Sequence, residues 1–370
     1  MGGHFLELAS YATAAVDELI VTGATEWTFD EAGDYDSAVL RAADDRVLIA
    51  RRPASAEAVQ EQNAMSAALA ALTPGLRARL PFAVPAELGV YVGDGVQLAV
   101  YEFIPGTTCD RVPLEHDSML VADIGRAIGS IHALPKQYVE QSGLPALSAA
   151  DARQAVELLM ARARESDRLP AALDDRWGGA VDDAGLWEFV PGVIHGSLER
   201  NAFLTNGAGV VGVLNWSDLS IGDPARDLAW LQTVDAAVAR AVFDEYTEAR
   251  GASVDRQLRQ RALLYAELEI ARWLVHGVES ENEAVIADAE QLLDGLVNRV
   301  RALDETELRH DTLPVLDIVA VQDLLADAGA KNRHPQARLL APDAEEDALL
   351  EEELEPEAEE FDEDPEPRER

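Results

Sequence analysis

Cationic side chains are what this sequence has least of. Lysine occurs twice in 370 residues, at Lys136 and Lys331, and the 30 basic residues face 69 acidic ones for a net charge of −39. Such a field repels phosphodiester backbones and anionic lipid surfaces, so neither nucleic acid nor membrane is an expected partner. Cysteine occurs once, at Cys109. That excludes an intrachain disulfide and fits a reducing compartment. With seven scattered histidines and no cysteine pair, no zinc site is indicated. No apolar run approaches the roughly 18 residues of a membrane span. The start, MGGHFLELAS, has neither the basic segment nor the continuous apolar stretch of a secretory signal. Leu6 stands where a myristoylation motif needs Ser or Thr. These absences predict a cytoplasmic protein.

What is present is 48% apolar residues, in line with a globular chain, and enough length for two lobes with a sizeable core. Residues 1–24 read as a helix. Two short apolar runs, Ala38–Leu40 and Val47–Ala50, flank Asp44-Asp45 and read as a hairpin. A helix follows from an N-cap at Ser55 to Leu72, stopped by Thr73-Pro74-Gly75. Two more strands surround Gly93-Asp94-Gly95. Beyond Gly106 the pattern is helical over Val121–Leu134, Ala149–Ser166 and residues 235–303, where Leu264, Leu268, Ala271, Val275 and Val278 share one face. Only Ile194–Asn215 interrupts it, as two strands around Asn206-Gly207.

These patterns divide the chain into an N-terminal lobe at 1–104, a helical lobe at 105–305, a short helix (Pro314–Asp327) and linker within 306–342, and an acidic tail at 343–370. The tail holds 16 acidic residues against two arginines. It has too little apolar surface to fold alone, but Leu349, Leu350, Leu354 and Phe361 offer contacts for a protein partner.

Three stretches are distinctive together: "YEFIPG" at 101–106, "HGSLERNAFL" at 195–204, and "LNW" at 214–216 followed by "GDPARDLAWL" at 222–231. From about residue 28 to 300 the chain resembles the aminoglycoside/macrolide phosphotransferase family. The resemblance implies an α+β, protein-kinase-like, two-lobed fold with a small antiparallel-sheet N-lobe and a largely helical C-lobe. It also implies a cleft that takes ATP and a small-molecule acceptor.

Phosphoryl transfer asks a protein to position reactants and neutralise phosphate charge. On the resemblance, Arg51 in "LIARRP" takes the slot of the strand lysine that steadies the phosphates. Glu61 is its expected partner, with Glu57 as a competing choice. The backbone of Glu102, Phe103 and Ile104 matches the adenine-binding hinge. Gly33 alone represents the glycine-rich phosphate cover. The family's catalytic loop reads His-Gly-Asp-Leu with an Asn four residues beyond the Leu. Here Ser197 fills the Asp slot and Ala202 the Asn slot, and Asn201 falls one place early, on the opposite face if the segment is a strand. The metal-binding Asp that precedes Trp is Asn215. Serine has no useful basicity near neutral pH, and an amide brings no charge to Mg²⁺. Asp218 is the best remaining carboxylate, followed by Glu199. Asp223-Pro224 reads as the start of a helix, and Asp223 and Asp227 are expected to brace the loop, with His195 packed beneath it.

The departures predict a degenerate, pseudokinase-type member that holds a nucleotide or small molecule with little or no phosphoryl transfer. ATP is a possible ligand, and Mg²⁺ is not expected to be held in the family's manner. Two other readings stay open. One is an active phosphotransferase in which Asp218 or Glu199 replaces the lost groups. The other is a scaffold acting through the acidic tail.

Overall fold

The computed structural model describes residues 4–27, 34–251 and 254–302. Gly33, the helix expected at Pro314–Asp327 and the acidic tail lie outside the described residues.

The N-terminal lobe is a five-stranded antiparallel sheet in the order β1-β2-β3-β5-β4. Its strands are β1 (Val21–Trp27), β2 (Tyr35–Ala42), β3 (Val47–Pro53), β4 (Glu87–Gly93) and β5 (Val96–Glu102). Alternation along these strands gives each face a separate task. Ala38, Leu40, Leu48, Ala50, Leu98 and Val100 form the outer face and pack with Leu8 and Ala12 of helix α1 (His4–Ala15). The inner face turns toward helix α2 (Ala56–Ala71) and the other lobe. The expected first helix is shorter than 1–24, because Val21–Trp27 pairs with β2 and becomes an edge strand. Both hairpin turns form where expected. Asp45 adopts φ 65°, and Asp94-Gly95 adopt φ 54° and 76°, the two positive values of a tight two-residue hairpin. The Ser55 hydroxyl caps α2 by accepting from the Ala58 amide at 3.1 Å. Thr73-Pro74-Gly75 does end α2, but Pro74 at once starts a single turn, α3 (Pro74–Arg77), as its fixed φ allows.

The second lobe is helical apart from short strands. β6 (Thr107–Thr108) leads to α4 (Ser118–His132), α5 (Lys136–Gln141), α6 (Ala149–Glu165) and α7 (Ala171–Asp182). Then come β7 (Gly192–Ile194), β8 (Phe203–Thr205), β9 (Val210–Val213) and β10 (Ser220–Gly222). The segment ends with α8 (Ala236–Arg250), α9 (Leu258–Glu279) and α10 (Glu283–Ala302). Of the face predicted on α9, Leu264, Leu268, Ala271 and Val275 are buried, whereas Val278 is exposed near the helix end. One continuous core joins α4, α6, α7, α8, α9 and α10 to the catalytic-loop strands. Across the lobe junction α2 packs on the turn Trp216–Asp218.

Candidate functional site

The loop after β7 is fastened from below. The buried carboxylate of Asp227 accepts from the amides of His195 and Gly196, each at 2.7 Å. It also accepts from His132 Nε2 of α4 at 3.0 Å, while His132 Nδ1 meets the Tyr246 hydroxyl of α8 at 2.9 Å. Burial alone would push the Asp227 carboxyl up, but the bonds and charge of His132 hold it below the ordinary value. The His195 ring packs at a tilt against Trp216, 4.7 Å between centroids, and donates Nε2–H to the Leu214 carbonyl at 2.7 Å. Its other ring nitrogen is buried without a partner, and burial lowers its pKa, so His195 is a neutral packing residue rather than a base. Gly196 has φ 92°, and a Cβ there would sit 2.3 Å from the Asp218 carbonyl oxygen. Only glycine fits this point, which lets Asp218 approach the loop.

Asp227 and His195 thus occupy the bracing places expected of them. Asp223 does not. Its carboxylate takes Arg261 Nε at 2.6 Å, Arg261 Nη2 at 3.1 Å and the Tyr265 hydroxyl at 3.0 Å, so it anchors α9 instead of the loop. No α-helix starts at Asp223-Pro224. Asp223 caps a local turn through the Ala225 amide at 3.0 Å, and residues Arg226–Thr233 form a 3₁₀ segment.

The face of the loop toward the cleft is different. Ser197 is exposed, and its hydroxyl makes one long contact to the Asn215 carbonyl at 3.4 Å. Asn215 adopts φ 64°, a left-handed conformation that Asn tolerates. Ala202 is buried, and its carbonyl accepts from the Leu214 amide at 2.9 Å. Residues Arg200–Ala202 form a 3₁₀ turn, so the strand alternation expected to separate Asn201 from Ala202 does not apply. Asn201 is instead buried beside the loop, donating to Glu199 Oε2 at 3.3 Å with its own Oδ1 unpartnered. Asp218 is exposed, and its backbone and Cβ lie against Gly196, which puts it beside the loop. Among the described residues no three His, Cys, Asp or Glu side chains come together as a metal site.

Above the loop, Arg51 of β3 is buried, with its guanidinium 3.8 Å from the centroid of the Tyr35 ring. The Tyr35 hydroxyl lies 2.9 Å from Glu61 Oε2 and 2.8 Å from the Ala58 carbonyl. Glu61 is therefore half-buried against Tyr35, and Glu57 is exposed. Tyr35 links the two members of the expected Arg51–Glu61 pair: its ring face meets the Arg51 guanidinium and its hydroxyl bonds Glu61. Burial raises the Glu61 pKa, with Arg51 opposing the shift. Along the hinge, Glu102 and Phe103 spend their amides on the carbonyls of Ala86 (2.9 Å) and Val47 (3.1 Å). Ile104 is buried in an apolar cluster with Ile49, Leu204 and Leu214, flanked by Val39, Phe103 and Val211. Arg51 and Glu61 thus gather around Tyr35 in the N-lobe, and Ser197, Asn215 and Asp218 at the loop, the two groups being joined through the packing of α2 on the turn Trp216–Asp218.

A family model described as "Phosphotransferase enzyme family" matches residues 26–265. The chain belongs to that family. Among solved structures it is similar to the macrolide 2'-phosphotransferase MphH apoenzyme from Brachybacterium faecium. The identity is 21% and the TM-score 0.64, over 82% of this chain and 99% of that one. The GDP complex of wild-type aminoglycoside 2'-phosphotransferase-IIIa matches with a TM-score of 0.64 at 17% identity, over 78% of this chain and 97% of that one. An uncharacterized protein of Bacillus subtilis (strain 168), YcbJ, is 24% identical over 240 residues, 61% of this chain and 76% of its own. These likenesses establish the protein-kinase-like fold.

Within this phosphotransferase fold, the residues present do not fit the family's magnesium centre. On the resemblance, the positions for its Asp and Asn ligands hold Asn215 and Ala202, leaving Asp218 and Glu199 as the exposed carboxylates of this segment. The Arg51 side chain, in contrast, suits a phosphate. Three contributors escaped sequence reasoning: Tyr35, His132 and Arg261. Tyr35 had a readable signal, because it lies two residues from Ser37 and four from Val39, on the same face of β2. His132 and Arg261 reach Asp227 and Asp223 across 95 and 38 residues, which no local pattern encodes.

Proposed function

We propose that this chain is a degenerate phosphotransferase that binds a nucleotide or other small molecule between its lobes with little or no phosphoryl transfer. One observation carries the reading. The loop is held in place by Asp227, yet Ser197, Asn215 and Ala202 stand at the positions that would activate the acceptor and hold metal. Loss of a general base alone typically costs about 10²–10⁴ in rate. Loss of charge at the metal position removes the electrostatic stabilisation that is usually the largest contribution. GDP in one solved relative supports a nucleotide as ligand class.

Asp218 gives a second reading its foothold, since it lies beside the loop and could stand in for the missing carboxylate. Thermal unfolding with ATP, in magnesium and in EDTA, separates the two, because a ligand that binds only the folded state raises its stability. The non-catalytic reading expects equal stabilisation with and without metal. Stabilisation that requires magnesium and is abolished by Asp218→Ala would establish the active enzyme instead.

A further inference from the structure

The inner face of the N-lobe sheet is shielded from water. Strand register puts Trp27, Ser37, Ile49, Arg51, Ala99 and Tyr101 on this face, and all six are buried. Part of the cover comes from the hinge and from the other lobe. Ile49 of β3 shares one apolar cluster with Ile104 of the hinge, Leu204 of β8 and Leu214, which follows β9. Ile49 and Leu204 are 0% exposed and Leu214 is 1% exposed. At the flank, Trp27 meets the Phe103 ring edge-on with centroids 6.0 Å apart.

Two further features hold this arrangement shut. A Cβ on Gly212 would sit 2.9 Å from Ile104 Cγ2 and 3.2 Å from Leu204 Cδ1, so the bare backbone of β9 lets both side chains lie against it. Beside the cluster, two backbone bonds stitch the lobes together. Ala83, in the link from α3 to β4, donates to the Val211 carbonyl at 2.8 Å and accepts from the Val213 amide at 3.0 Å. A flat ring held between two side chains needs about 7 Å between them, two contact distances. Aliphatic side chains packed in one cluster and closed off from water leave no such gap. Their burial favours the closed form, and a ring that enters must first part them.

We propose that Ile49, Ile104, Leu204 and Leu214 form an apolar seal across the hinge end of the cleft, which excludes a nucleotide base until the lobes part. The inference rests on the reading of residues 102–104 as the nucleotide side of the cleft, and it deepens that reading by making admission conditional. It gives a reason for weak binding that is independent of Ser197 and Asn215. A ligand that fits only the open form has its apparent affinity reduced by the fraction of molecules that are open.

The test is calorimetric titration of the full chain in EDTA with ATP, adenosine and pyrophosphate, using wild type, Ile49→Ala and the milder Ile49→Val, each first shown to be folded by circular dichroism. Wild type should bind ATP weakly. Ile49→Ala removes the N-lobe half of the seal, so affinity for ATP and adenosine should rise by about tenfold or more, the scale of a large-to-small change in a core. Ile49→Val should raise it by a smaller factor, and it carries the test should Ile49→Ala not fold. Pyrophosphate, which has no base, should gain less than ATP. Affinity for ATP and adenosine unchanged in the folded variants, absent binding throughout included, would overturn the seal. An equal gain for pyrophosphate would overturn it too, because the lobes would then have loosened without freeing a place for a base. Turnover of MgATP by wild type would overturn the non-catalytic reading alone, so the two failures are distinguishable.

Discussion

The two sides of the loop at 195–202 teach different lessons. Beneath it, Asp227, His132, His195 and Tyr246 make a buried network in which each member has a defined partner, and Gly196 accepts a conformation few other residues could. On the other side, in the proposed reading, a serine, an asparagine and an alanine take the places where the family's charge and basicity would act. The scaffold that aims the loop and the groups it would aim are therefore separable. Positioning depends on buried hydrogen bonds that stabilise the fold, so their loss is destabilising. Ser197, by contrast, is exposed, and its replacement costs the fold little.

That separation can be broken at its strongest point first. Asp227→Ala removes a buried carboxylate and leaves the amides of His195 and Gly196 and the His132 ring without their acceptor. A stability loss of about 3–5 kcal/mol is expected, read from denaturant unfolding. The dependence on pH comes next. His195 has a depressed pKa when folded, so the unfolded chain takes up a proton that the native state refuses. Its contribution is complete above about 6.5 and declines as pH falls through the folded value, by at most about 1.4 kcal/mol per pH unit. Asp227 is also depressed, so its contribution is present above about 3.9 and declines at lower pH still. The unfolding midpoint of His195→Gln, compared with wild type, should vary less between neutral pH and pH of about 5. The smallest effect belongs to the cleft side. Ser197→Ala should change stability by less than about 0.5 kcal/mol, because the side chain is exposed and makes one long contact.

The same contrast explains what could be read from the chain alone. The sheet was legible because alternation, the Asp-Gly turn and the Ser55 cap are local. Strand β1 was missed because Val21–Trp27 gains its identity from pairing with β2. Ser197, Asn215 and Asp218 drew attention because they lie in or beside two short distinctive stretches, 195–204 and 214–231. The contact of Tyr35 with both Arg51 and Glu61 was not legible, since it depends on strand register and on the approach of α2. Asp223 was misassigned for a related reason: its short-range chemistry suits an N-cap, but Arg261, 38 residues away, claims the carboxylate. With Asp255 beside it, that pair holds the Arg261 guanidinium charged against the burial that opposes it.

The most direct test is the rate of phosphoryl transfer from MgATP by wild type beside the double variant Ser197→Asp/Asn215→Asp. With an intact frame and neutral reacting positions, wild type should show no magnesium-dependent consumption of ATP, and the restored carboxylates should confer it. Magnesium-dependent turnover by wild type, abolished by Asp218→Ala, would contradict the account.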